Sequence, residues 1–456
     1  MFLKIPHWNC DGISTKVEEL TAVARRGGIH VILLNELRIT ARFKLRIRGY
    51  VPYVLRNNNA HGGVAALIRE DVPHRRVELR DDKDPNLTVG SRGPGVFGQR
   101  VRLPDYSRAN WQSFRAILNE VPIVSDIPDI EALDSLITAV GAAIRKAADK
   151  TIPIKTLDPF RYSELPIDVR NLIRSRNRIR NPPETDPATE ELVEESLRSF
   201  YLKNPILPET ALEFLTSLGC IRKHISKSSS LKAPGNDSIQ NHVLKHILRK
   251  TLAQITYIFN AAFKLQHFPS PWKTAIVIPV PKPGKEPRLA TSYRPISLLP
   301  AISKIFEKIL LRYVDKYTND NSVLPPEQFG FRRKHSTNHQ VARVVTDVIS
   351  AFNKRQYTVL MVVVMEKAFD RVWVEGLIHK IILNGYPPPI VRILHSYLRG
   401  RQFAVKVNCE LSDLRPSTAG VPQGSVLGPV LFNLYTSDIP KFPNNSIATY
   451  AYDTAL

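Results

Sequence analysis

Cysteine is scarce. Cys10, Cys220 and Cys409 are the three cysteines in 456 residues; they stand too far apart for the short-spaced pairs of a zinc site, and an odd count leaves no complete disulfide framework. That usage points to a reducing, intracellular compartment, cytoplasm or nucleus. Long apolar runs are missing as well. No stretch approaches the roughly 18 apolar residues of a membrane span, and Pro6, His7 and Trp8 interrupt the start where a signal peptide has its apolar core. A membrane partner is therefore not expected. Acidic residues are also short: 42 Asp and Glu face 64 Lys and Arg, a formal net charge of +22. Such an excess suits a surface that binds a polyanion, nucleic acid first, or serves only solubility.

What is present suffices for real cores, because 43% of the residues are apolar and the length leaves room for about two to four domains. Ile29 to Leu34 and Gly63 to Ile68 read as buried strands. Residues 81–110, rich in charge, Gly and Pro at their start, read as a linker. Ile130, Leu133, Ile137, Val140 and Ile144 fall on one helical face and begin a helical connector over 111–219. Within it Arg170, Arg174, Arg176, Arg178 and Arg180 crowd together, either to track a phosphate backbone or as a solvated helix face. The spacing of Leu244, Leu248, Leu252, Ile255, Phe259 and Phe263 predicts one amphipathic helix over 243–263. From there to the end strand-like and helix-like segments alternate, giving an α/β or α+β domain.

Six blocks carry the chemistry. Lys232-Ala233-Pro234-Gly235-Asn236-Asp237 is a turn before a helix. Ile278 to Lys285 and Ser292 to Leu299 form a hairpin presenting two Lys and one Arg, which suits a triphosphate. Gln328-Phe329-Gly330-Phe331-Arg332 follows, then a strand from Val359 to Val364 running into Met365-Glu366-Lys367-Ala368-Phe369-Asp370. Gly420 to Pro429 is turn-rich, with glycines that would let backbone approach a template or nucleotide closely. Tyr450-Ala451-Tyr452-Asp453 closes the series.

In this order and spacing the blocks resemble the fingers and palm of reverse transcriptases from jockey-type non-LTR retrotransposons, over roughly residues 220–456. The resemblance implies a right-hand polymerase fold, an RNA template, a DNA primer or target, dNTPs, and two Mg²⁺ ions held by three Asp carboxylates. It would place Lys282, Lys285 and Arg294 over the incoming nucleotide and make Phe369 the steric gate against a ribose 2′-hydroxyl, where a plain reading gives a core aromatic. Gln423 and Gly424 would line the template–nucleotide site.

The carboxylates depart from the family. Val364 stands where the first Asp of the palm strand is expected, and Tyr452 where the first Asp of the closing turn is expected, so only Asp453 remains. Glu366 and Asp370 lie two and six residues beyond Val364, and Glu366 is the sole nearby substitute on a continued strand. Val has no oxygen for a hard cation, so this copy is expected to be catalytically impaired. Because the chain stops three residues after Asp453, the rest of the palm and the thumb are expected to be missing.

At the other end Trp8-Asn9-Cys10-Asp11-Gly12, Leu33-Leu34-Asn35-Glu36, Gly49-Tyr50 and Gly62-Gly63-Val64-Ala65 resemble the start of the endonuclease that such elements carry, over residues 1–80. By that resemblance Asn9 and Glu36 would serve metal and scissile phosphate. Glu36 reads equally as a strand-end carboxylate. The later Asp and His blocks of that nuclease are not found, which predicts a partial α/β-sandwich segment without its general base. Two rivals stand beside the polymerase reading: a non-catalytic nucleic-acid-binding relic, and a chain that does not fold.

Overall fold

In a computed structural model the described residues are 7–9, 17–26, 31–35, 45, 47–55, 64–70, 101–157, 185–282, 289, 292–356, 358–365, 367–407, 410–440 and 446–455. The chain divides into two units. One comprises Met1–Val96, Pro281–Pro287 and Val344–Val359; the other Phe97–Val280, Arg288–Arg343 and Leu360–Leu456.

The first unit holds a four-stranded sheet of β1 (His7–Asn9), β2 (Val31–Asn35), β4 (Val64–Arg69) and β3 (Tyr50–Leu55), in that spatial order. β1 runs parallel to β2, while β4 is antiparallel to β2 and β3. Ile32, Leu34 and Leu67 are buried, so the two strands expected from the apolar runs are present, each shifted by one or two residues. A helix, Val17–Arg26, lies between β1 and β2 in the chain.

The second unit is mixed α/β. Its main core gathers Phe114, Ile144, Phe259, Phe306, Leu377 and Tyr397, each wholly buried, from six different helices. The helix Ile130–Thr151 buries Leu133, Ile137, Val140 and Ile144, as its spacing predicts, but leaves Ile130 40% exposed at its first turn. Asp129 caps that helix by accepting from the Ala132 amide at 2.8 Å. Residues 101–104, read above as linker, form β5, which pairs antiparallel with β6 (Ile154–Leu157). The arginine cluster of 170–180 lies outside the described residues.

The single helix expected over 243–263 is two: Asn241–Leu244 and Arg249–Lys264. Leu248 is extended, with ψ at 158°. The His246 ring stacks on Trp111 at 3.7 Å, and Arg115 Nε donates to the His246 carbonyl at 3.4 Å. These neighbours accompany a break that an unbroken apolar spacing hides.

β7 (Thr274–Pro281) and β8 (Tyr293–Leu298) are sheet neighbours, with β10 (Arg401–Val407) parallel to β7 on its other side. β11 (Glu410–Leu411) and β12 (Arg415–Ser417) both pair with β10. Ala275, Val277, Tyr293, Phe403, Val405 and Val407 make a small second core on this sheet. A separate three-stranded sheet orders β13 (Ala448–Tyr450), β14 (Asp453–Ala455) and β9 (Val362–Val364). β9 is shorter than the strand expected over 359–364. It is an edge strand whose Val362 and Val363 are 60% and 43% exposed, so the local run of valines is not buried on both faces. Among the described residues no helix is long and apolar enough to cross a membrane.

Candidate active site

The register of the small sheet brings together two positions, 364 and 453, at which the resemblance expects metal ligands. Val362, Val363 and Val364 pair antiparallel with Ala455, Thr454 and Asp453, and the Met365 amide donates to the Tyr452 carbonyl at 3.3 Å. Val364 therefore stands directly opposite Asp453. Asp453 is exposed, whereas Tyr452 is half-buried and packs against the main core. At this sheet end the described side chains offer a hard cation one exposed carboxylate, that of Asp453. Among the described residues no group of three or more His, Cys, Asp or Glu is placed to hold a metal ion. The described residues do not fit a site for two Mg²⁺ ions. Glu366 lies outside the described residues.

The turn itself is held by backbone and by one glutamine. Gln328 is buried; its Oε1 accepts from the Gly330 amide at 2.8 Å and the Ala451 amide at 3.1 Å, and its Nε2 donates to the Ala451 carbonyl at 3.3 Å. Thr449 and Phe329 continue the contact, with the Phe329 amide donating to the Thr449 carbonyl at 2.9 Å. Asn433 Nδ2 donates to the Gly330 carbonyl at 2.9 Å. Gly330 has to be glycine: a Cβ there would sit 1.9 Å from the Ala451 nitrogen.

The Gly420–Gly428 loop docks on the turn that carries Phe369. The Gly420 amide donates to the Val372 carbonyl, and the Val421 amide to the Phe369 carbonyl, each at 2.8 Å. The half-buried Phe369 ring stacks on Phe432 at 5.1 Å and meets Phe331 edge-on at 5.9 Å, an aromatic contact set that fixes its orientation. On the other side the Ser297 amide donates to the Gln423 carbonyl at 2.7 Å. Gly424 has a φ of +111°, and a Cβ there would lie 2.9 Å from the Ser297 carbonyl oxygen. In the protein alone, this close approach is to β8 backbone, a packing reason for the glycine that the sequence did not suggest.

Glu307 anchors the same loop from below. Its side chain is fully buried on the helix Ala301–Asp320, and Oε2 accepts from the amides of Val426 at 2.7 Å and Leu427 at 3.3 Å. Those amides lead into the helix Gly428–Tyr435, where the helix dipole favours a negative charge. Burial pushes the Glu307 carboxyl up, opposed by the Val426 bond, Arg401, the Leu427 bond and Lys304.

The structure thus gathers Phe369, Gln423, Gly424, Asp453 and the β8 strand that carries exposed Arg294 into one framework. It does not do so for the rest. Lys282 is half-buried just after β7 and belongs to the other unit, and Lys285 lies outside the described residues. Asn9 ends β1 opposite Asn35, while Glu36 lies outside the described residues. Gln328 and Glu307 carried no assigned role. The available signal for Glu307 was a carboxylate at a core position of a helix whose Ile305, Phe306, Ile309 and Leu310 are buried.

Residues 280–456 match the family described as reverse transcriptase (RNA-dependent DNA polymerase). The chain is similar to the probable RNA-directed DNA polymerase from transposon X-element of Drosophila melanogaster, 42% identical over 237 residues, covering 51% of this chain and 26% of that protein. It is 40% identical over 233 residues to the probable RNA-directed DNA polymerase from transposon BS of the same species, covering 49% and 26%. To the RNA-directed DNA polymerase from mobile element jockey of that species it is 37% identical over 264 residues, covering 56% and 29%. The likeness to reverse transcriptases is thus carried by the C-terminal part of the chain. The chain spans about a quarter of the length of the first of these relatives.

Proposed function

We propose that the region of about 220–456 descends from the RNA-directed DNA polymerase of a jockey-type non-LTR retrotransposon, and that this copy holds nucleic acid without extending a primer. The observation that carries the reading is the pairing of Val364 with Asp453. The pairing supports this reading by setting side by side the two segments that the resemblance expects to carry metal ligands, of which Val364 and Tyr452 leave one carboxylate of three. In such enzymes the metals supply most of the stabilisation of developing charge, so losing two of their ligands costs on the order of several powers of ten in rate. What supports binding is Arg294, an exposed cation on β8, with Phe369 and Gln423 held in one loop framework; Lys282 and Lys285 belong to the reading as further cations for the nucleotide. The RNA template, DNA primer and dNTPs belong to this reading, as does an intracellular location. Asn9 and Glu36 as remnants of an endonuclease start belong to it as well.

The test is Mg²⁺-dependent dNTP incorporation on a primed RNA template, run beside the jockey polymerase and read together with a salt-dependent gel shift of the same template. The chain should shift the template and add no nucleotide. Extension by the chain as written would sink the reading, and Glu366 would be the first residue to replace.

A further inference from the structure

The polymerase reading accounts for Arg294 on β8 but not for a second basic group carried by segments that precede β7 and follow β8 in the chain. On the helix Ala301–Asp320, Lys304, Lys308 and Arg312 recur at every fourth residue and so share one side. The helix Leu218–Ser226 packs on that helix, burying Ile221 and Ile225 and leaving Lys223 exposed, with Lys227 exposed as its C-cap. Arg312 donates to Cys220 Sγ at 3.1 Å, which ties the two helices at this face. The exposed Lys232 joins from the loop that follows, beside Leu231, which is 96% exposed.

The charges feel one another. Burial and then Lys232 hold Lys308 below its ordinary value. His224 is held down by burial first, then by Lys308, Arg312, Lys223 and Lys227. Lys304 is lowered by burial, with Glu307 and Asp237 opposing and Lys232 and Lys308 reinforcing. The nearby carboxylates do not neutralise the face. Glu307 is committed to Val426 and Leu427, and Asp237 accepts from the Ile239 amide at 3.2 Å and is raised by burial to about 6. Glu213 is exposed and acts on Tyr313. Among the described residues none of Lys223, Lys227, Lys232, Lys304, Lys308 and Arg312 is in an ion pair. Like charges gathered without counter-ions cost folding energy, and a polyanion offsets that cost.

We propose that the face formed by Lys223, Lys227, Lys232, Lys308 and Arg312 around Lys304 binds the sugar-phosphate backbone of a nucleic acid. The inference rests on the nucleic-acid reading above and adds where the strand is held. Contact is to phosphates, so it reads no sequence.

The experiment uses the full chain and fluorescence anisotropy with a labelled single-stranded RNA, a single-stranded DNA and an RNA–DNA heteroduplex, over a potassium chloride series. A variant combining Lys223→Gln, Lys227→Gln, Lys232→Gln, Lys308→Gln and Arg312→Gln should bind at least about tenfold more weakly. Its slope of log affinity against log salt should be shallower by roughly 0.7 for each lost contact on a single strand. A smaller variant, Lys232→Gln with Lys308→Gln, should lower the slope by about 1.4 and covers the case in which the larger one misfolds by circular dichroism. The matched control neutralises Lys150, Arg198, Lys203, Lys406 and Arg415, all exposed. An equal loss in the control, or an unchanged slope in both variants, overturns the face while leaving the polymerase-derived reading standing. Failure of the unaltered chain to bind any of the three probes overturns both. The probe held most tightly identifies which nucleic acid the face takes.

Discussion

Two parts of one site have fared differently. The framework around the turn at Ala451 is complete: Gln328 satisfies the amides of Gly330 and Ala451, the Gly420–Gly428 loop is bonded to the Phe369 turn and to β8, and Glu307 holds that loop from the core. Of the positions that the proposed reading gives to a metal, Asp453 alone carries a carboxylate, and it pairs with Val364. The difference separates what folding requires from what catalysis requires. Framework groups are buried and mutually bonded, so removing one leaves another unsatisfied. Asp453 is exposed, and among the described residues its side chain makes no hydrogen bond or ion pair.

The contrast breaks if framework substitutions prove harmless. Gly330→Ala should have the largest effect, because its Cβ would collide with Ala451 backbone that cannot swing away; a loss of about 3 kcal/mol or more is expected in urea unfolding. Glu307→Ala should follow at about 2–4 kcal/mol, since it orphans the Val426 and Leu427 amides and opens a hole. Glu307→Gln keeps an acceptor and adds a pH signature. Burial raises the Glu307 pKa, so the native state holds its proton more tightly than the unfolded chain, and its contribution, full at low pH, declines as pH rises past the ordinary carboxylate value. Melting temperatures of Glu307→Gln relative to the parent should therefore improve between pH 5 and pH 8; a constant difference would mean that the carboxyl titrates alike in both states. The smallest effect belongs to Asp453→Asn, expected within about 0.5 kcal/mol of the parent and with RNA affinity unchanged. A large loss of stability there would show that Asp453 belongs to the framework after all.

Much of this was legible in the sequence wherever local pattern and fold agree. The face of Leu133, Ile137, Val140 and Ile144 is buried as spaced, and the strands at 31–35 and 64–69 lie where apolar runs predict them. The order of the blocks led to the family that residues 280–456 match. Legibility ends where a partner distant in the chain decides. Leu244, Leu248 and Leu252 fit one helix equally well as two, and the break at Leu248 coincides with contacts from Trp111 and Arg115. Gln328 acts on a turn 123 residues away, and no local pattern singles it out from other glutamines. Val359 to Val364 read as one strand, yet β9 is confined to Val362–Val364 at an open sheet edge.

The fit of Gly330 against Ala451 has a consequence for how such chains are recognised. Letters such as Gly330 and Gly424 answer to backbone spacing, and replacing them costs stability whether or not the protein turns over a substrate. Likeness carried by such glycines therefore reports on the backbone that a chain builds, and whether that chain turns over a substrate has to be read from other letters.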